Sequence, residues 1–268
     1  MNKHRVVPIE GAVNFRDLGG YTTSDGREVK WHRIFRSGQL DKVTLAGCEQ
    51  LKLLNIGAVV DLRTNTEQQS YPSHPEAFSN ADTLQWQRGE IPQHLQAIKE
   101  WRESVTSQDP DAVRETMKAN YPIKLYSHRF AYRALLEQLI KSDRSLLFHC
   151  AAGKDRTGVA AALVLSLLGV DEQTIIEDYL ITQSQLSDRL EKWVLGGATI
   201  EEHYHAFQTM VEELPFEMLK PVFDADRVYI EHLLDYINEH YGSFEDYAKN
   251  ILGFSRTDIE RLRERNLD

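Results

Sequence analysis

The sequence predicts an α/β domain, with a central sheet flanked by helices, a helical insertion at about 172–222 and a helical C-terminus. Three observations carry this. Gly57-Ala58-Val59-Val60-Asp61-Leu62 and Ser145-Leu146-Leu147-Phe148-His149 are short apolar runs of strand length. Between them stand longer stretches with apolar residues at helical spacing. From Val159 onward the helical signal is almost unbroken, so strands mix with helices first and helices follow alone.

Taken in order, Asn14-Phe15-Arg16-Asp17-Leu18-Gly19-Gly20 is an irregular lead-in ending in a turn, and Arg33 to Ser37 is a short strand. Val43 to Leu54 is a helix, with Leu45, Cys48, Leu51 and Leu54 on one stripe and Asp41 before its start. Gly57 to Leu62 is a buried strand, and Asp82 to Gln87 alternates enough to be another. From about Pro92 the signal is helical, through Arg114 to Ile140. Within it Tyr126 to Ile140 is amphipathic, offering Phe130, Ala134, Leu135, Leu139 and Ile140 for burial. The strand Ser145 to His149 passes through a glycine-containing loop into Val159 to Leu168, apolar on all sides and therefore a buried helix. Glu172 to Trp193 is one helix or two, Gly196-Gly197 is a break, and Ile200 to Leu214 is weakly amphipathic. Asp224 to Tyr241 is strongly amphipathic through Val228, Ile230, Leu233, Leu234 and Ile237; Ser243 to Leu252 and Thr257 to Leu267 are short helices. There is no internal repeat, and a single domain over 1–268 is expected.

The 268 residues are 41% hydrophobic, enough for a sizeable core. A net charge of -10 repels polyphosphate surfaces, which excludes non-specific nucleic-acid or anionic-membrane binding. Any phosphate site must be a local electropositive pocket. Two cysteines make no disulfide framework, and a reducing, cytoplasmic setting is expected, with non-classical secretion left open. No apolar run follows Lys3 and Arg5, so no signal peptide is expected. Val159 to Leu168 is about half the roughly 18 residues a membrane span needs.

The chemistry concentrates in His149-Cys150-Ala151-Ala152-Gly153-Lys154-Asp155-Arg156-Thr157-Gly158. Arg156 follows Cys150 by six positions, at the start of a helix. That spacing lets the backbone of Ala151, Ala152, Gly153, Lys154 and Asp155 curl into a ring of N–H groups facing one point. The first helical turn adds its own unsatisfied N–H groups and positive dipole end. A phosphate fits such a nest, and the same field favours the thiolate of Cys150. Arg156 can fork onto two phosphate oxygens, and Thr157 is placed to donate to the cysteine sulfur. In-line attack by Cys150 on phosphorus, followed by hydrolysis of the thiophosphate, requires no metal or other cofactor. A phosphate loop ending Gly-Lys-Ser/Thr is absent, since Asp155 follows Gly153-Lys154. The bland alternative is a buried cysteine ahead of a helix with an arginine nearby.

This loop resembles the signature of the atypical bacterial tyrosine and lipid phosphatases, a dual- or triple-specificity family. Asn14 to Gly20, Phe35-Arg36-Ser37-Gly38, Asp61-Leu62-Arg63 with Glu67, and Tyr241-Gly242-Ser243 are similar too, so the resemblance spans nearly the whole chain. It implies a cysteine-phosphatase-like, mostly parallel central sheet with lid-like extra helices. It implies hydrolysis of phosphotyrosine, often of phosphoserine or phosphothreonine, and in some members of phosphoinositides. It also implies a general acid inside the loop, at Asp155. Asp109-Pro110-Asp111 is the nearest substitute for a separate acid loop, and its ordinary use is a helix N-cap. Lys154 either adds a second cation over the pocket for a multiply phosphorylated substrate or is a solvated surface lysine.

Supporting roles are expected nearby. Asp61 either orients Arg156 or holds a catalytic water, with Arg63 pairing to Glu67; alternatively these form a salt-bridge cluster that fixes the loop. His149 is expected to hydrogen-bond the backbone around the loop. Arg16, Asp17 and Arg36 are expected to tie the N-terminal segment to the sheet. Cys48 is read as a core cysteine, the sharper idea being a reversible disulfide with Cys150. His203 and His205 are two apart, cannot share a helix face, and make no metal site. The expected partner is a phosphorylated protein or phosphoinositide substrate, with no nucleic acid and no integral membrane segment. The alternatives are a soluble inositol-polyphosphate phosphatase and a non-catalytic phosphate-binding module. The presence of nucleophile, arginine and acid together argues against the latter.

Overall fold

Five short strands pair into one sheet in the order β1-β2-β5-β3-β4, where β1 is Arg16–Asp17, β2 Ile34–Ser37, β3 Ile56–Asp61, β4 Asp82–Leu84 and β5 Ser145–His149. Only β1 is antiparallel; β2, β5, β3 and β4 run parallel. Every residue of β2, β3 and β5 is buried, as expected of parallel strands covered on both faces. Side chains alternate between the faces: Ile34, Val60, Leu146 and Phe148 enter one apolar cluster, while Phe35, Val59 and Leu147 enter the other. The computed structural model describes residues 4–78, 81–84, 100, 103, 104, 106–195 and 215–268.

Among the described residues the helices are α1 Leu45–Leu53, α2 Asn65–Ser70, α3 Pro110–Ser127, α4 Arg129–Lys141, α5 Asp155–Leu168, α6 Glu172–Leu195, α7 Phe216–Phe223, α8 Arg227–Tyr241, α9 Phe244–Asn250 and α10 Arg256–Asn266. The larger cluster is built from the sheet, α3, α4, α5 and α8; α1 covers the opposite face. No described helix is long and apolar enough to cross a membrane.

Several expectations are corrected. Thr44, not Asp41, caps α1 by accepting from the Gly47 amide. Leu45, at the first position of α1, is 63% exposed, off the stripe of Cys48 and Leu51. The long helical signal breaks at His128, and Phe130 just beyond it is 47% exposed, with the Arg129 guanidinium over its ring. Glu172–Leu195 is a single helix. α5 starts at Asp155, one residue ahead of the start expected at Arg156, and its apolar stretch follows from Val159; the Gly158 amide already donates to the Lys154 carbonyl at 2.7 Å. The short α2 has no apolar periodicity; a Thr64–Glu67 capping box starts it. The end of the predicted strand at 85–87, the helical start at Pro92, the Gly196-Gly197 break, the Ile200–Leu214 helix and the His203/His205 pair lie outside the described residues.

The topology fixes where chemistry can occur. In a parallel sheet, ligands sit beyond the carboxyl ends of the strands. Here β2 delivers Gly38, β3 delivers Leu62 and β5, at the centre, delivers Cys150 to the same edge.

Candidate active site

The loop after β5 is set by what holds its carbonyls. Gln39 N donates to the Ala151 carbonyl at 2.8 Å, and Asn14 Nδ2 to those of Ala152 and Gly153 at 3.2 and 3.1 Å. Arg36 Nη2 also reaches the Gly153 carbonyl, at 2.9 Å. In a trans peptide the N–H points opposite to the C=O. With these three carbonyls bound on one side, the amides of Ala152, Gly153 and Lys154 face the other, as an anion-binding ring requires. Gly153 has φ +70°, and a Cβ there would lie 2.6 Å from the Gly38 amide nitrogen. Gly153→Ala is expected to cost at least the roughly 1–2 kcal/mol of a left-handed non-glycine residue. It should also lower kcat by displacing the loop; a melting curve and steady-state kinetics check both.

Inside this ring Cys150 is 2% exposed, and Thr157 Oγ1 donates to its Sγ at 3.1 Å. Arg156 is gripped by Glu67, with Nη1 and Nη2 each 2.7 Å from a different carboxylate oxygen, and Nη1 also meets the Leu62 carbonyl. This leaves Nε–H and the second Nη2 hydrogen, the remaining edge of the fork, for two phosphoryl oxygens. Burial opposes the Arg156 cation, but Glu67, Cys150 and Asp155 outweigh it and raise its pKa. Burial likewise works against the Glu67 carboxylate, yet Arg156 and the Thr64 hydrogen bonds hold it down at about 2.

The carboxylates at the β3 end are paired differently from the expectation. Arg63 binds Asp61 two residues back, with Nη2 2.7 Å from Oδ2, so Glu67 is free to take Arg156. Asp61 thus pairs with Arg63 and also lies near His149. The Nδ1 of His149 lies 3.3 Å from the Cys150 carbonyl, and its Nε2 3.7 Å from Asp61. Burial holds the His149 imidazole below its ordinary pKa against the pull of Asp61.

Lys154 is buried, so the solvated alternative falls, and its ammonium is tied to a helix end. It is 1% exposed, and its Nζ donates to the carbonyls of Val222 at 2.5 Å and Asp224 at 3.1 Å, at the C-terminal end of α7. Its ammonium is also 3.4 Å from Asp155 Oδ1. The Asp155 carboxyl accepts from Tyr121 Oη at 2.8 Å. Burial pushes its pKa up, but Lys154, Lys124, the Tyr121 bond and Arg156 together leave it below the ordinary value. Asp109 caps α3 by accepting from the Asp111 amide, the ordinary use foreseen for that pair.

Cys150, Asp155 and Arg156 therefore lie together on the loop and first helical turn that join β5 to α5. The sequence model of the tyrosine phosphatase family matches residues 7–268. The chain belongs to that family. It is 27% identical over 289 residues to the triple specificity protein phosphatase PtpB of Mycobacterium tuberculosis, covering 96% of this chain and 98% of that protein. A Cupriavidus necator protein provisionally named a tyrosine-protein phosphatase is 26% identical over 253 residues, 93% of this chain and 84% of its own. A tyrosine-protein phosphatase of Nostoc commune is 26% identical over 233 residues, 86% and 72% of the two chains.

The loop of this tyrosine phosphatase rests on a buried charge cluster. Arg16 Nε lies 3.1 Å from Asp178 Oδ1, Arg36 Nη1 2.5 Å from its Oδ2, and Tyr21 Oη 3.0 Å from Oδ1. Arg16 also donates to Thr182 Oγ1 and to Asn14 Oδ1, which steers the same Asn14 that holds the loop. The expectation that Arg16 and Arg36 tie the N-terminal segment to the sheet is thus incomplete, because their acidic partner is on α6. Asp17 does serve locally, accepting from the Gly19 and His32 amides. Cys48 and Cys150 are both free and lie in different apolar clusters on opposite sheet faces, so the disulfide idea is dropped.

Sequence reasoning missed Tyr121, Tyr179, Lys124 and Asp178. Lys124 Nζ donates to the Asn120 carbonyl at 3.0 Å and lies over the Tyr121 ring. Burial brings its pKa down to about 8, Arg156 and Lys154 adding to the fall and Asp155 and Cys150 opposing it. One signal was available for Asp178, which interrupts the buried stripe Ile175, Ile176, Tyr179 and Thr182. A carboxylate there demands a buried partner.

Proposed function

We propose that this phosphatase hydrolyses phosphomonoesters through a Cys150 thiophosphate, with phosphotyrosine as the first substrate class and phosphoserine, phosphothreonine and phosphoinositides as further ones. The observation that carries it is the Ala151, Ala152 and Gly153 carbonyls held by Gln39, Asn14 and Arg36, which supports a loop whose amides face away from those donors. In the first step sulfur bonds to phosphorus, the ester P–O bond breaks, and the leaving oxygen takes a proton from Asp155. In the second, water attacks phosphorus, its proton returns to Asp155, and the P–S pair returns to Cys150, with Thr157 stabilising the departing thiolate.

Against burial, Lys154, Lys124, Tyr121 and Arg156 favour the ionised form of Asp155, so the acid gains its proton as substrate binds, and the substrate itself can bring it. A phosphate monoester has a second pKa of about 6. Its monoanion brings one proton, and its charge beside Asp155 pushes the carboxyl up to receive it. Lys154, bound to α7 carbonyls, lends little support to an inositol-polyphosphate specificity. The relative named a triple specificity protein phosphatase supports breadth beyond a single class of phosphoester.

The test is phosphate release from a phosphotyrosine peptide, a phosphoserine peptide, a phosphoinositide and inositol hexakisphosphate, with acid-quenched protein examined by mass spectrometry. Release from the peptides and phosphoinositide, with a phosphate adduct on Cys150, is expected. Turnover without an adduct on Cys150 would remove the proposed mechanism, and preference for inositol hexakisphosphate would replace the substrate assignment.

A further inference from the structure

The proposed acid is itself held in place by a chain of two tyrosines. Tyr121 from α3 and Tyr179 from α6 are 0% and 1% exposed. Tyr121 Oη is 2.8 Å from Asp155 Oδ1 and 2.5 Å from Tyr179 Oη. A carboxylate accepts only, so the Tyr121 hydrogen goes to Asp155, and the second bond must then use the Tyr179 hydrogen. Burial raises both phenols well above their ordinary pKa, which keeps both as donors. The chain therefore has one direction, from Tyr179 to Tyr121 to Oδ1.

Packing fixes it. The Tyr121 ring meets Tyr179 edge-on at 6.0 Å and Tyr229 of α8 at 5.5 Å. Tyr179 presses on the first turn of α5, where a Cβ on Gly158 would lie 3.0 Å from its ring. Neither phenol can swing away without opening the larger apolar cluster.

We infer that Tyr121, aligned by Tyr179, is the positioning residue of the general acid, committing Oδ1 of Asp155 to the tyrosine and leaving Oδ2 to carry the transferred proton. When Asp155 is protonated, Oδ1 still accepts from Tyr121, so the proton resides on Oδ2 and is given from there to the leaving oxygen. In the second step the same Oδ2 takes the proton of water. This inference rests on Asp155 being the acid, and the experiment separates the two claims.

Leaving groups supply the readout. A 4-nitrophenolate departs with little protonation, whereas phenolate, the conjugate base of an acid with pKa about 10, needs the acid. For Tyr121→Phe, the loss of kcat on phenyl phosphate is expected to exceed that on 4-nitrophenyl phosphate by about tenfold. Added to an Asp155→Asn background, Tyr121→Phe should produce no further differential, because residues acting as one unit are not additive.

The pH profile gives a second readout. The Tyr121 bond favours the ionised carboxyl, so its loss moves the Asp155 limb to higher pH. Lys154 and Arg156 beside Asp155, Lys124 from α3, Tyr179 from α6 and Tyr229 from α8 still face it in the variant. Equal losses on both substrates with an unmoved limb would make Tyr121 merely structural and overturn the inference. If Asp155→Asn itself shows no leaving-group preference, the acid assignment falls, and the inference with it. Should Tyr121→Phe fail to fold, Tyr179→Phe removes the second donor while keeping the ring, and absence of the differential there overturns the inference equally.

Discussion

Glu67→Gln is expected to lower kcat and kcat/KM together by about 10²-fold, with KM little changed. Glu67 holds both terminal nitrogens of Arg156 at 2.7 Å, which fixes the plane of the guanidinium. Arg156 acts most strongly on charge that develops in the transition state, so tilting its plane removes stabilisation where it counts. A displacement of about 1 Å in such a group costs on the order of 10²-fold. Glutamine can still serve in the capping box with Thr64, so α2 should persist and the melting temperature should move little. That separates lost alignment from lost fold. An unchanged kcat would show that the loop alone orients Arg156.

The sign of the pH effect follows from the depressed Glu67 pKa. A carboxylate whose folded pKa lies below its unfolded value contributes fully above the unfolded value, about 4.3, and loses its contribution as pH falls through the folded one. For Glu67 that lower bound is about 2. A wild-type pH–rate profile should carry no limb from Glu67 above about pH 4, and Glu67→Gln should leave the shape of the profile unaltered there.

Asp178→Asn should be the most destabilising of these substitutions. Arg16 and Arg36 are fully buried, and Asp178 is the carboxylate between them, 3.1 and 2.5 Å away. Removing one partner from a buried ion cluster leaves unpaired buried charge and costs about 3–5 kcal/mol. In a chain of this size that is a fall of roughly 6–20 °C in melting temperature. Arg36 also donates to Gly153, so residual folded protein should turn over more slowly. Thermal unfolding and kinetics at a temperature where the variant is folded test the two effects separately. A loss below about 1 kcal/mol would mean that water or backbone carbonyls can replace the carboxylate.

How much of this could be read from sequence depends on distance along the chain. The loop was legible because Cys150, Arg156 and Thr157 lie within eight consecutive residues on a strand–loop–helix, where local geometry dictates who meets whom. The strands β2, β3 and β5 were legible as brief apolar runs. The partner of Arg156 was not, since Glu67 is 89 positions away and Arg63 was the nearer candidate cation for it. The strand order seats β3 beside β5 and so brings Glu67 to Arg156, while Arg63 is taken by Asp61 two residues back. The Thr64–Glu67 spacing was itself a readable capping-box signature, and would have located α2. Lys154 was misplaced for a similar reason: the carbonyls that bind it come from the end of α7, 68 and 70 positions along the chain. Tyr121 and Tyr179 look like ordinary core aromatics until α3 and α6 are seen to meet over Asp155.

The buried pairing of Arg16 and Arg36 with Asp178 also has a consequence for how the protein is made. During synthesis Arg16 and Arg36 emerge 162 and 142 residues ahead of their carboxylate. At 5–20 residues per second that interval is about 7–30 s. Until α6 arrives, burying both guanidiniums would cost more than leaving them hydrated, so the nascent N-terminal segment should stay solvated and open. The loop carrying Cys150 emerges inside this interval, before the cluster that steers Asn14 and Arg36 onto its carbonyls is complete. A ribosome-bound chain stalled just after Cys150 should therefore carry the nucleophile but no formed anion ring, and competence should appear only once Asp178 has cleared the exit tunnel.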